Sequence, residues 1–436
     1  GYYVVKVGDA ANLLSTIEVA NANASDNRTF IFVPKGTYNL GEKVLTPISG
    51  NNISIIGEDR DATIIVNAPK VENEGIGTTA TFLISGQNTY FQDLTLRNAL
   101  DYYASGSAGR AVVIQDKANR TICKNVKMLS YQDTYYSNSN GQFYFEDGEI
   151  HGTADYLCGD GDVFFNRVKL VNESRTADGK TGGDVIAAPY PSDNCKFGYV
   201  FDGCTIDNLA ASFSLGRSWG GLSKLTYLNT IILQPAEIDP TRFTTGGMNV
   251  YAYSFKEYGS VDGTGTVVTP ASNVQTFTKD MTSSTYNTTM SVDSVALFAI
   301  TKVFPDWTPD VLSQQAKMGT MTVSGNTLIW ESLSGTPAYA VFADGVFKDI
   351  TNTNSYAIDP NVKIYSIRAA NTMGGFGQAQ VLDVATSINK AKLDQVVRTK
   401  YYSVDGTRLP VPRPGVNVRV NELENGKTTA EKVVIR

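Results

Sequence analysis

Histidine is nearly absent from this chain, which has a single copy, His151, among 436 residues. A Ser-His-Asp triad would have to use that residue, and a metal site built from several histidines is excluded. His151 lies in an alternating, strand-like stretch around Glu149 and Ile150, so a structural role is the simpler interpretation. Any acid-base chemistry would therefore fall mainly to other residue types.

Charged residues are also scarce, at 18% of the chain, and the formal net charge is -6. An acidic chain is a poor general partner for a polyanion, so we expect no nucleic-acid binding. No run of apolar residues reaches the length that spans a bilayer, so we expect no membrane span. Hydrophobic residues make up 42%, and most of the chain should fold into two or three domains.

Only four cysteines occur, at positions 123, 158, 195 and 204. Three of them stand in apolar, strand-like runs, which favours buried free thiols over a framework of disulfides. Cysteine usage therefore does not decide the redox compartment.

An irregular repeat runs through the first 235 residues. Each copy has an aromatic or aliphatic residue, polar residues and then alternating apolar residues, as at 91–96, 123–128, 145–150, 165–170 and 201–206. The first residues of these copies lie 32, 22, 20 and 36 positions apart. Short strands recurring at this period predict an all-β solenoid of stacked coils, with a β-sandwich as the alternative. Residues 10–20 are predicted to form a short helix that caps its open end.

The composition and the strand pattern of the sequence change beyond the solenoid. Residues 264–294 are rich in Thr and Ser and are predicted to be loop and tail. From Gly319, short strands and turns predict a small antiparallel β-sandwich, and a short C-terminal β segment follows a polar stretch after Val384. We therefore predict three domains, at residues 1–310, 311–385 and 386–436.

Three short segments carry the chemistry. Gln132-Asp133-Thr134 is followed 22 positions after Asp133 by Asp155, and Arg217 stands in a third segment, 215–219. Paired carboxylates can supply a nucleophile and a general acid or base. An amide can donate to a developing oxyanion, and an arginine can hold a carboxylate ionised. The combination predicts a carboxylate-based hydrolase.

In order and spacing, the segments 131–134, 152–159 and 215–219 resemble three signature blocks of the pectin methylesterases. Weaker similarities, at 36–38 and 255–258, extend the resemblance over about residues 1–310. The resemblance implies a right-handed parallel β-helix, in agreement with the repeats. It also implies hydrolysis of methyl esters on galacturonate units of pectin, with release of methanol and with no cofactor or metal ion.

The resemblance assigns a role to each residue of the three segments. Asp155 would attack the ester carbonyl, and Asp133 would protonate the departing methanol and then activate water. Two carboxyl groups in one cleft repel each other, so one tends to keep its proton. Arg217 would pair with Asp155 and keep it ionised, and Gln132 would donate to the oxyanion.

Four further residues are expected to contact substrate. Tyr136 and Trp219 match positions that line the sugar groove in the family. Arg110 stands where the family usually has a second glutamine that stabilises the oxyanion; it can still donate hydrogen bonds, but it adds a charge near the carboxylates. Cys158 replaces an aromatic residue, which shortens one wall of the groove.

The C-terminal part carries two other resemblances. Residues 319–384 resemble a fibronectin type III module, and the last fifty resemble the sorting or anchoring modules of secreted Bacteroidetes proteins. No secretory leader is visible, and one, if it existed, would have been removed. We expect a monomer that acts on methylated homogalacturonan and is secreted, periplasmic or on the cell surface.

Two other functions compete with the esterase. A calcium-dependent pectate lyase also uses a parallel β-helix, and Asp155, Asp160 and Asp162 could supply oxygen ligands. That alternative leaves the segment around Arg217 unexplained. A non-catalytic pectin-binding protein on a degenerate esterase scaffold would account for Arg110 and Cys158.

Overall fold

The computed structural model describes residues 1–106, 108–179, 182–244, 252–384, 395–424 and 426–435. The chain divides into two compact units. The first comprises Gly1–Gln314 and Asn371–Gly375, and the second comprises Gln315–Ala370 and Phe376–Arg436.

Three parallel sheets, A, B and C, build the first unit, and the chain visits them in that order in successive coils. The described strands of sheet A are Tyr2–Val4, Thr29–Val33, Ile53–Gly57, Tyr90–Gln92, Thr121–Lys124, Gln142–Glu146, Asp162–Asn166, Tyr199–Asp202, Ser223–Leu228 and Ala252–Tyr258. Those of sheet B are Gly36–Asn39, Thr63–Asn67, Thr95–Asn98, Lys127–Leu129, Glu149–Gly152, Lys169–Asn172, Thr205–Asn208, Ile231–Ile232 and Val261–Asp262. Those of sheet C are Thr46–Ile48, Phe82–Ile84, Ile114–Asp116, Tyr135–Ser137, Ala154–Gly159, Gly183–Pro189 and Ser212–Gly216. The predicted all-β parallel β-helix is confirmed.

The sequence repeat sets the register of sheet A. Phe145 pairs with Phe165, and Phe165 pairs with Phe201, so the first residues of successive copies lie side by side. Their rings are buried and stack, with centroids 4.9 Å apart for the first pair and 4.4 Å for the second. Tyr227 continues this row at 4.2 Å. The row fills the interior of the solenoid with aromatic area.

The third residue of each copy turns the chain from sheet A into sheet B. It has a left-handed backbone in every copy, with φ between 50° and 63°, at Asp93, Asn125, Asp147, Arg167 and Gly203. Asn, Asp and Gly tolerate this region best. Arg167 is the exception, and its side chain pairs with Glu146 and Asp147 across the corner.

A helix at Ala10–Asn21 packs on the first coil, as the sequence predicts. Asp9 caps it, since a carboxylate oxygen accepts a hydrogen bond of 2.9 Å from the Asn12 amide. Leu13 and Ile17, one turn apart, are buried in the core. The helix therefore covers apolar side chains that the first coil would otherwise expose.

The segment predicted as loop at 264–294 is instead partly regular, and that prediction is wrong. It contains a hairpin of Val274–Lys279 and Thr282–Asn287 and the short helix Val292–Val295. Phe277 anchors the hairpin by packing edge-on against Phe255 at 5.7 Å. The remaining described helices of this unit are Val71–Asn73, Ala296–Phe298, Ile300–Val303 and Pro309–Leu312.

The second unit is antiparallel. Met321–Ser324, Thr327–Trp330 and Ser355–Ala357 form one sheet, and Val346–Thr351, Tyr339–Ala343, Ile364–Ala370 and Phe376–Asp383 form another. Their apolar side chains share one core around Trp330 and Tyr365. A further sheet contains Arg408–Leu409, Val396–Tyr402, Gly415–Leu423 and Thr428–Ile435. The predicted sandwich and C-terminal β segment are therefore present.

The predicted boundary between 385 and 386 lies outside the described residues, and the boundary at 310 stays a prediction. All four cysteines are buried and free, as expected. Among the residues that the structure describes, none of the helices has the length and apolar character that crossing a bilayer requires.

Candidate active site

Asp133 and Asp155 occupy neighbouring coils at the start of sheet C. Asp133 precedes Tyr135–Ser137, and Asp155 lies in Ala154–Gly159, where the ladder is irregular between Ala154 and Leu157. Both have left-handed backbones, with φ of 61° and 51°. An irregular ladder re-aims side chains, and aspartate accepts this conformation more readily than most residues. Both carboxyl groups consequently line one pocket.

That pocket has a volume of about 160 Å³. Seven of the eight predicted site residues line it together with Ile76, namely Arg110, Gln132, Asp133, Asp155, Cys158, Arg217 and Trp219. The eighth, Tyr136, lies beside it, with its ring 5.9 Å from that of Trp219. The structure thus brings together residues that are spread over more than a hundred positions of sequence.

Arg217 holds Asp155 from both sides of its carboxylate. Its Nε donates to Oδ1 at 2.8 Å, and its Nη2 donates to Oδ2. The backbone NH of Arg217, directly after Ser212–Gly216, donates to the carbonyl of Ala187 at 3.0 Å and so fixes the start of the side chain. A bidentate pair of this kind fixes the orientation of the carboxylate and leaves lone pairs on its oxygens.

Asp133 has the opposite environment. Burial, and then the neighbouring charge of Asp155, raise the pKa of its carboxyl well above the usual range, while Arg110 and Arg217 oppose this in part. The Cys158 thiol lies 3.9 Å from Oδ1, and burial raises its own pKa, so it stays neutral. The two carboxyl groups of the pocket therefore have different surroundings, since Asp133 is buried beside a second carboxyl group and Asp155 is paired with a guanidinium.

Gln132 presents an amide to the same pocket. Its backbone bridges that of Arg110 in the preceding coil, and its carbonyl accepts a hydrogen bond of 3.0 Å from the Ala111 NH. Its side-chain amide has no hydrogen-bond partner within the described part of the chain. The amide protons are thus free to donate to a bound oxyanion.

Arg110 is not a free donor, because Glu74 binds it three times. The Arg110 backbone NH and Nε donate to Oε2 of Glu74 at 3.1 and 2.9 Å, and Nη2 donates to Oε1 at 2.8 Å. The ion pair with Glu74 raises the pKa of Arg110. Arg110 therefore lines the pocket as a clamped cation whose charge is largely balanced.

A known protein family and individual known proteins are similar in sequence to this chain. The profile of the family "Pectinesterase" matches residues 4–293. This chain belongs to the pectinesterase family. Pectinesterase A of Dickeya dadantii is 28% identical over 323 residues, which cover 67% of this chain and 86% of that protein. Pectinesterase 1 of Arabidopsis thaliana is 27% identical over 315 residues, covering 70% and 51%.

Solved structures agree on the fold of this pectinesterase. A pectin methylesterase in complex with a hexasaccharide has a TM-score of 0.55 at 24% identity, over 71% of this chain and 98% of that one. The carrot pectin methylesterase has a TM-score of 0.54 at 19% identity, over 70% and 93%. The family membership establishes an enzyme, and these neighbours agree with its parallel β-helix.

The aromatic wall of the pectinesterase pocket is larger than the sequence analysis predicts. Tyr190, half exposed directly after Gly183–Pro189, packs edge-on against Trp219 at 5.4 Å. Its position just past a sheet C strand, as for Trp219, is the signal that could have found it. Glu74 and Ile76 had no such signal, since both lie in an irregular loop.

The three aspartates proposed as calcium ligands do not converge. Asp155 is held by Arg217, whereas Asp160 Oδ1 accepts from the backbone NH of Ser192 at 2.7 Å. Asp162 Oδ1 accepts from that of Phe197 at 2.7 Å. Across the described ranges, no three His, Cys, Asp or Glu side chains are grouped to hold a metal ion. Each carboxylate already has another partner, which disfavours the lyase alternative.

Proposed function

We propose that this enzyme hydrolyses the methyl esters of galacturonate units in pectin, giving methanol and a free carboxylate. The observation that carries the proposal is one pocket holding an arginine-clamped Asp155, a buried Asp133 and the unengaged amide of Gln132. These are the three groups that ester hydrolysis without histidine requires: a nucleophile, a proton donor and an oxyanion donor.

In the first step, an Asp155 oxygen attacks the ester carbonyl carbon. Gln132 donates to the resulting oxyanion, and loss of such a donor commonly costs about 3 kcal/mol of transition-state stabilisation. The bond from carbon to the methoxy oxygen then breaks, and Asp133 gives its proton to the departing methanol. The product of this step is an anhydride between Asp155 and the galacturonate carboxyl.

In the second step, water attacks the anhydride while Asp133, now ionised, takes a proton from it. The bond between Asp155 and the substrate carbon breaks, and both carboxyl groups return to their starting states. Arg217 stabilises the Asp155 carboxylate as it departs. Tyr136, Tyr190 and Trp219 offer apolar ring surface along the groove for the sugar chain.

The test is methanol release from highly methylated pectin by Asp155→Asn. The amide has nearly the same shape but is a poor nucleophile, so turnover should fall by far more than tenfold with the fold intact. Asp160→Asn is the matched control and should keep full activity. Asp160 directly follows the strand Ala154–Gly159, and among the described residues its carboxylate accepts hydrogen bonds only from backbone NH groups. Residual turnover above about a tenth, or about 1.4 kcal/mol in barrier, would exclude Asp155 as the nucleophile.

Other results of the same assay select the competing functions. Pectin binding with no methanol release by the wild-type protein would indicate a non-catalytic pectin-binding protein. Formation of unsaturated product that a chelator abolishes would indicate the lyase.

We also propose that the sandwich of the second unit is a fibronectin type III-like module. Numbered along the chain, its seven strands pair as 1-2-5 and 4-3-6-7, an order typical of such sandwiches. We propose further that the last β segment is a sorting or anchoring module, so that the enzyme acts as a monomer in a secreted, periplasmic or cell-surface location. Protease accessibility on intact cells and light scattering of the purified protein test these two points.

A further inference from the structure

A second pocket lies where sheet B ends and the chain turns into sheet C. Its volume is about 420 Å³, within the range of small-ligand sites. We call it the tyrosine pocket, after Tyr102, Tyr103 and Tyr131, which line it with Arg97, His151 and Glu173 among others. Tyr131 directly precedes Gln132 of the catalytic pocket, so the two pockets are neighbours, but none of the described residues lines both.

The three tyrosines form a rigid aromatic wall. Tyr102 and Tyr131 stack in parallel with centroids 4.7 Å apart, and Tyr103 packs edge-on against both, at 5.4 and 5.3 Å. The Tyr103 hydroxyl donates to the Ser174 carbonyl at 2.9 Å, which ties the loop to a neighbouring coil. Tyr103 is nevertheless 41% exposed. An exposed ring on an immobilised loop offers apolar area at low entropic cost.

Glu173, the glutamate of the tyrosine pocket, already has a partner in His151. His151 Nδ1 and Glu173 Oε1 are 2.6 Å apart, and Nε2 lies at the same distance from Glu149 Oε1. Burial lowers the pKa of His151, but the two glutamates outweigh it, and the net direction is upward. His151 therefore engages Oε1 of Glu173, and the second oxygen of Glu173 is left to accept a hydrogen bond from a hydroxyl.

Arg97 is the cation of this pocket without a partner. Its side chain is exposed and forms no hydrogen bond or ion pair with any described residue. Asp101, also in the lining, accepts a hydrogen bond of 3.2 Å from the Ala104 NH and from no other described residue. The pocket thus combines a planar donor suited to carboxylates, acceptors suited to hydroxyls and an aromatic wall.

We propose that the tyrosine pocket binds an unesterified galacturonate unit of the pectin chain. The carboxylate of that unit pairs with Arg97, its hydroxyls donate to Asp101 and Glu173, and its ring lies against Tyr103. The choice of sugar rests on the proposed function, whereas the demand for a free carboxylate comes from the unpartnered guanidinium. A chain held in both pockets gains from linked binding, so the site would retain polymers that already carry demethylated units.

The test is calorimetric titration of the inactive Asp155→Asn protein with unesterified trigalacturonate. Two binding events are expected, one in each pocket. Arg97→Gln, a change at an exposed side chain, should weaken one event by about tenfold or more, as loss of a charge-assisted hydrogen bond predicts. Tyr103→Ala should weaken the same event, and Trp219→Ala the other. Lys117→Gln removes an exposed charge elsewhere and should change neither.

Several results would overturn the proposal. Binding by Arg97→Gln and Tyr103→Ala with the stoichiometry and Kd of the parent would show that the pocket binds no galacturonate. Equal binding of neutral galactotriose, unaffected by Arg97→Gln, would show a site for neutral sugars instead. The proposed function is scored separately by methanol release from the wild-type enzyme, so either can fail while the other stands.

Discussion

At the scale of single residues, Glu74 is the side chain that most changes the interpretation of the site. Arg110 replaces a glutamine typical of the family, and taken by itself it would add an unbalanced charge beside two carboxyl groups. Glu74 removes that problem by binding both the backbone and the guanidinium of Arg110. Its own negative charge also helps to raise the pKa of Asp133.

Glu74→Gln should therefore narrow the pH range over which the enzyme is active. Without the Glu74 charge, and with Arg110 released, the pKa of Asp133 falls. The proton that the proposed mechanism gives to the departing methanol is then lost at lower pH. The basic limb of the kcat/KM profile should move to lower pH. Glu72→Gln, an exposed neighbour, is the matched control and should leave the profile unchanged. Identical profiles for both variants would show that Glu74 does not act on Asp133.

Asp184 makes a prediction about stability and pH. Its side chain is fully buried, neither oxygen has a hydrogen-bond partner among the described residues, and Arg175 Nε is 4.0 Å away. Burial raises its pKa to about 8, with Arg175 opposing. The unfolded chain keeps a pKa of about 3.9, so between these values the folded state binds more protons and stability falls as pH rises.

Asp184→Asn should reduce the loss of folding stability that accompanies rising pH. The difference in unfolding free energy between pH 5 and pH 9 should shrink by more than about 1.4 kcal/mol, the equivalent of one pKa unit. Denaturant titrations at the two pH values measure it, with the exposed Asp193→Asn as the control. An unchanged difference would mean that Asp184 is ionised in the folded protein throughout this range.

At the scale of elements, the aromatic row of sheet A stabilises the packing of successive coils in the solenoid. Phe165 stacks on Phe145 and Phe201 in the two flanking coils and is fully buried. Phe165→Ala should cost about 3–5 kcal/mol, because it removes the ring and leaves a cavity between coils. Phe165→Leu should cost clearly less, since it keeps most of the volume. A loss below about 1 kcal/mol for the alanine variant in denaturant unfolding would contradict this account.

The same elements show where sequence patterns succeed and fail. The repeats predict the strands because each copy places an apolar residue at the same point of a coil, and neighbouring coils then pair in register. The hairpin within 264–294 was missed because its alternation is mostly Thr and Ser, and only Phe277 is deeply buried. Apolar periodicity detects strands that face a core on one side, whereas this hairpin is largely exposed.

At the scale of the whole molecule, all eight predicted site residues belong to the first unit. A chain ending at residue 314 should therefore release methanol with an unchanged kcat. A chain ending at residue 384 is the control, because it also keeps Asn371–Gly375, which belongs to the first unit. A folded but inactive shorter chain, with the longer one active, would show that this segment supports the site.

The sequence by itself determined the class of fold and predicted which residues meet in the catalytic pocket. A recurring apolar position forces coils into register, and that register carries Asp133 and Asp155, 22 positions apart, to the same edge of sheet C. Gln132 is fixed by its place beside Asp133. Arg217 follows another strand of the same sheet, and the resemblance to the family blocks groups it with Gln132, Asp133 and Asp155.

Only the tertiary structure decided which further side chains contact the residues that these strands position. Glu74 reaches Arg110 across 36 positions, Tyr190 joins Trp219, and Asp184 loses its water without gaining a hydrogen bond. Tyr102, Tyr103 and Tyr131 line a pocket that the spacing of residues in the sequence does not predict. The physical reason is that strands repeat with a period, whereas the loops between them vary in length and take their positions from packing.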